Sequence, residues 1–125
     1  MPQLPHSIEL HDSLLAGAET RGETLVLMFR PAYIHQAGKG WRQDADLSIT
    51  NPVGWSAEAQ LPCRVSDGTL KTAHGPYHNL LTLPLDDPGP VNLRLEFIDG
   101  TVPQVQGDRV RVSLHGEPTF IESVS

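Results

Sequence analysis

Three side-chain types that catalytic sites use, an imidazole, a carboxylate and a hydroxyl, stand side by side at His11-Asp12-Ser13, and further histidines follow at His35, His74 and His78. Adjacent residues of a strand point to opposite faces, so these three cannot form a catalytic triad with one another. Asp12 is the most informative of them. From Ser7 to Ala16 the apolar residues Ile8, Leu10, Leu14 and Ala16 hold the even positions and Glu9, His11 and Ser13 the odd ones, which places Asp12 on the apolar side of a strand. A carboxylate there is costly unless backbone donors, a base or a metal ion satisfies it. Backbone N–H groups at a turn or bulge are its commonest partners. The alternative is a ligand site at an open end of the fold, where Asp12, His11 and His35 converge with His74 or His78. It requires the Asp12 carboxylate to lie within roughly 8 Å of a histidine ring or a cavity.

Other patterns are less specific. His74 and His78 bracket Gly75-Pro76, which rules out the helical spacing that brings two histidines onto one metal. The chain has no HExxH, no CxxC and no glycine-rich phosphate loop, and Gly38-Lys39-Gly40 is too short to serve as one. Cys63 is the lone cysteine, so an internal disulfide is impossible and an inert thiol is expected. The carboxylate pairs Asp44 with Asp46 and Asp86 with Asp87 lie in polar or turn contexts and read as solvated groups. No metal and no cofactor is expected from these patterns. Tyr33, Trp41, Trp55 and Tyr77 are amphipathic aromatics near strand ends. With only three Phe in the chain, both Trp are expected to fill the core; if exposed, the Tyr33, His35 and Trp41 segment, read as a loop, is the leading contact surface.

The elements that must position these residues are short and apolar. The 125 residues suit one domain, residues 1–125, with eleven Gly and eleven Pro spread between the apolar runs. Arg21-Gly22 marks the first hairpin, ahead of the run Thr24 to Arg30; Pro31 is expected to stop that strand's ladder, so that Ala32-Tyr33-Ile34-His35 continue it only as an edge or bulged segment. Leu47 and Ile49 alternate with Asp46, Ser48 and Thr50, and Val91, Leu93, Leu95 and Phe97 with Asn92, Arg94 and Glu96. Trp55 to Leu61 is a weaker strand candidate. Turns are expected at Ser66-Asp67-Gly68, Gly75-Pro76, Asp86 to Pro90, Asp99-Gly100, Gly107-Asp108 and Gly116-Glu117-Pro118, the last leaving Thr119 to Val124 as a final edge strand. No amphipathic helix, repeat or heptad is present. The expected architecture is all-β: a single-domain antiparallel sandwich or partly open barrel of about eight to ten short strands.

The formal charge of −6 repels phosphate backbones and anionic lipid, so neither nucleic acid nor a membrane is expected as a partner. The opening Met1 to His6 lacks the basic start and apolar core of a secretory signal, and with the single cysteine this predicts a cytoplasmic location.

The stretch His11-Asp12-Ser13-Leu14-Leu15, followed by Gly22-Glu23-Thr24-Leu25-Val26-Leu27, resembles the start of small uncharacterised bacterial β-rich domains, some of them toxin-immunity proteins. The resemblance covers about a fifth of the chain. It implies a small cytoplasmic domain that binds another protein, and it brings no catalytic residue with it.

The expected function is therefore a non-enzymatic protein-interaction module, binding another protein or itself through an acidic face, loop aromatics or an edge strand. The rival is a small-molecule- or metal-binding barrel, with or without catalysis, around Asp12 and nearby histidines. Asp12, His11, Tyr33, His35 and Trp41 are the candidate ligand- or partner-binding residues.

Overall fold

A computed structural model of the chain describes residues 6–36, 38–55 and 61–123. Nine strands run in the order β1 (His6–Glu9), β2 (Leu14–Arg21), β3 (Thr24–Gln36), β4 (Lys39–Thr50), β5 (Cys63–Thr72), β6 (Gly75–His78), β7 (Leu80–Leu83), β8 (Asp86–Phe97) and β9 (Gln104–Ser123). Among the described residues there is no helix, so none is long and apolar enough to cross a membrane. Most of the strand candidate at Trp55 to Leu61 falls on residues 56–60, outside the described residues.

All nine strands belong to one antiparallel sheet. Following the pairings from β2 to β3, β4, β9, β8 and β5 leads back to β2, so six strands form a ring. The closing link is short, only Leu14 opposite Arg64 and Leu15 opposite Cys63. The expected all-β fold is present, and this closure makes it a partly open barrel rather than two stacked sheets. Outside the ring, β1 pairs with the far end of β3 and with β7, and β6 pairs with β5.

The alternating patterns face the core as expected. Leu47 and Ile49 of β4, and Val91, Leu93, Leu95 and Phe97 of β8, are all buried, together with Leu25, Leu27 and Phe29 of β3. Hairpins form at Gly22-Glu23 and at Ile98 to Gly100, where the left-handed dihedrals of Gly22 and Gly100 suit tight turns.

Several expected breaks are instead bulges inside long strands. At Pro31 the bulged continuation that a proline allows is the one that forms: β3 runs on with a register shift between Phe29 and Ala32. Asp67 lies beside a shift within β5, so the hairpin expected across Ser66-Asp67-Gly68 is absent and the chain reverses later, at Ala73-His74. Pro88 to Pro90 span a shift within β8, and Gly116 to Pro118 lie where β9 slips against β4. Proline presets, and glycine and aspartate permit, dihedrals that serve a bulge as well as a turn; the neighbouring strands decide which forms. Bulges also bend a strand, as ring closure requires.

Candidate functional site

The first strand read from sequence breaks in two. β1 and β2 both lie against β3, which is long enough to pair with β2 over Thr24 to Phe29 and with β1 over Tyr33 to Gln36. Leu10 to Ser13 form the corner between them, and every backbone N–H of the corner is bonded. Leu10 donates to Asn79 O at 2.7 Å, His11 to Asn79 Oδ1 at 2.7 Å, Asp12 to Val65 O at 3.1 Å and Ser13 to Leu10 O at 3.1 Å. Asp12 takes the left-handed conformation, with φ 74°, which aspartate tolerates better than most residues.

This corner reverses the expected facing. Asp12 is exposed, whereas Ser13 is fully buried. Beyond the corner the inward residue is Leu15 rather than Leu14, because the left-handed step shifts the alternation by one residue. The Ser13 hydroxyl donates to Glu9 O at 2.6 Å and accepts from the Tyr33 backbone N–H at 3.0 Å, tying the corner to β1 and β3.

A polar cluster covers the outer side of this junction. His11 Nδ1 lies 3.2 Å from Asp12 Oδ2, and His35 Nε2 lies 3.1 Å from Glu9 Oε2. One ligand atom from each of Glu9, His11 and Asp12 lies within 4.8 Å of the other two, a spacing that one metal ion can bridge. The Tyr33 ring packs against that of His35 with centroids 4.8 Å apart, and its hydroxyl donates to Glu122 Oε1 at 2.6 Å. That bond holds the Tyr33 phenol neutral, pushing its pKa up to about 12, with burial and the nearby carboxylates adding to the effect. The ring crosses Gly40, the residue opposite Glu122, where a Cβ would collide with the phenol.

Beside the cluster opens a cleft of about 430 Å³ whose walls include Asp12, Tyr33, Arg42 and Arg64. A somewhat larger cleft of about 450 Å³ lies elsewhere, but its only charged wall residues are Lys71 and Asp108, and Asp108 accepts a hydrogen bond from Asn51.

Four of the five expected site residues, His11, Asp12, Tyr33 and His35, therefore share one junction. Trp41 does not join them. It pairs with Ile34 on the inner side of the sheet, packs against the core and meets Phe120 edge-on at 5.4 Å. Tyr33, His35 and Trp41 lie on the strands β3 and β4 rather than in a loop, and alternation sends the first two outward and Trp41 inward. His74 and His78 stay apart from the junction, with His74 3.1 Å from Asp87 and His78 3.8 Å from Asp67. Cys63 is buried. Glu9, Arg42 and Arg64 were not singled out from sequence; Glu9 alone carried a local signal, sharing a face with His11 two residues away. Comparison of the chain with protein-family models, curated proteins and solved structures gives no match.

Proposed function

We propose that this protein is a small ligand-binding β-barrel that holds a divalent transition-metal ion at the β1–β2 corner through Glu9, His11 and Asp12. The observation that carries the reading is the approach of one imidazole nitrogen and two carboxylate oxygens within 4.8 Å of one another. Such a mixed nitrogen and oxygen set suits Zn²⁺ or Mn²⁺ better than Ca²⁺, which prefers oxygen alone. The bonded corner supports the reading further, because a backbone held at every N–H presents its side chains with little reorganisation. His35, bonded to Glu9, orients that carboxylate in the way outer partners steady metal ligands. Isothermal titration of the tag-free chain with Zn²⁺ and Mn²⁺ tests this. A single saturable ion per chain, lost in both His11→Ala and Glu9→Gln, is the expected result. No saturable binding up to about 1 mM, or binding unchanged in both variants, would overturn it.

A second reading, the protein-interaction module, is supported by a different feature. The inward row Leu81, Ile8, Ile34, Trp41 and Phe120 crosses five strands, buried at its first three members and open at its last, where Phe120 is 49% exposed. Another protein or a second copy of this chain would extend that row. Affinity capture and sedimentation with the wild type and Phe120→Ser test it: a partner or dimer lost in the variant supports the module, and a monomer capturing nothing refutes it.

A further inference from the structure

We propose that the cleft beside the corner is a second site, which binds a small organic anion through the guanidinium groups of Arg42 and Arg64. Arg42 lies on β4 opposite Tyr33, and Arg64 lies on β5 at the short link that closes the ring. The two strands do not pair, yet both side chains open on one concave space of about 430 Å³, a size usual for small-molecule sites.

What distinguishes them is that two arginines without an ion pair line the same hollow. Arg21 pairs with Glu19, Arg30 with Asp46, Arg94 with Glu96 and Arg109 with Asp86, while Arg111, which makes no ion pair among the described residues, lies opposite Asp86 on the ladder and away from this hollow. Among the described residues, the side chains of Arg42 and Arg64 make no hydrogen bond or ion pair, in a chain with fifteen acidic groups to nine basic ones. Solvated arginines are ordinary on a convex surface. These two share a hollow whose lining also includes Leu14, Pro31 and Ile121.

The remaining polar walls do not cancel the positive charge. Asp12 sets one carboxylate against two guanidinium groups, and the Tyr33 hydroxyl is committed as a donor to Glu122 and carries no charge near neutrality. Two guanidinium forks favour a carboxylate or phosphate head, and the apolar lining residues favour a hydrocarbon body attached to it. The overall charge of −6 disfavours a polyanion, so the ligand is a small molecule rather than a nucleic-acid backbone. The site uses residues other than the three proposed metal ligands except for Asp12, which walls both.

The test is amide NMR titration of the full chain with phenyl phosphate, phenylacetate, inorganic phosphate and benzyl alcohol. Phenyl phosphate or phenylacetate is expected to shift Tyr33, Arg42, Arg64 and Ile121 saturably, and the tighter of the two identifies the head group. Affinity falls by about tenfold in each of Arg42→Gln and Arg64→Gln. It is unchanged in Arg94→Gln, which lies outside the cleft. Both cleft arginines are exposed, so the variants keep the core, and their spectra report it directly. The proposal is overturned if neither aromatic anion saturates by about 10 mM, if binding survives both arginine substitutions, or if inorganic phosphate or benzyl alcohol binds as tightly as the aromatic anions.

Discussion

The hydroxyl of Ser13 and the backbone nitrogen of Tyr33 lie 3.0 Å apart, joining residues twenty positions apart in the chain. The same hydroxyl donates to Glu9 O at 2.6 Å, so one buried atom holds the corner, β1 and β3 in register. Its neighbours Glu9 and Tyr33 carry side chains of the polar junction, which makes this bond the foundation of the candidate site.

Ser13→Ala leaves the Glu9 carbonyl and the Tyr33 N–H without this partner inside the protein, at an expected cost of about 1–3 kcal/mol. Asp12→Asn, on an exposed side chain whose left-handed backbone asparagine also tolerates, should stay within about 0.5 kcal/mol of the wild type. Urea unfolding of the two variants measures both. A larger loss at Asp12 than at Ser13 would contradict the corner described here.

Gly40→Ala forces a Cβ against the Tyr33 ring, with an expected loss of about 1–3 kcal/mol as the ring is displaced. The cost should shrink in a Tyr33→Ala background, because the colliding group is gone. Equal costs in the two backgrounds, measured by a double-mutant cycle of thermal or urea unfolding, would place the strain elsewhere.

The Tyr33 phenol should ionise near pH 12 rather than 10.0, because Glu122 accepts its proton and its anion would face carboxylates. A raised folded value means that the bond's stabilisation is complete below the unfolded value of 10.0 and is lost as pH rises through about 12. Ultraviolet titration in a Tyr77→Phe background isolates this phenol. Glu122→Gln removes the anionic acceptor and should move the midpoint down toward 10.0; no movement would show that Glu122 is not the cause.

The candidate site was legible as residue types and illegible as geometry. His11, Asp12, Tyr33 and His35 stood out as groups able to bind or catalyse, and they do share one junction. Their facing could not be read, because a single left-handed residue at Asp12 reverses the alternation on which the reading rested. Glu9 passed as an ordinary strand residue until β3 brought His35 against it. Arg42 and Arg64 sit on strands that do not pair with each other, so no local pattern links them.

The sequence by itself determined the fold class and much of the core. Period-two alternation at Val91 to Phe97 and at Leu47 and Ile49 reports a burial that each strand carries locally, and Asp99-Gly100 carries its own turn dihedrals. The closure of the ring, the bulges at Asp67, Pro88 to Pro90 and Gly116 to Pro118, and the meeting of Glu9, His11, Asp12 and His35 were decided only by tertiary structure. The physical reason is the same in each case. Turn-forming residues restrict a dihedral without naming a partner strand, and a side chain's contacts depend on which distant strand supplies the other half of the ladder.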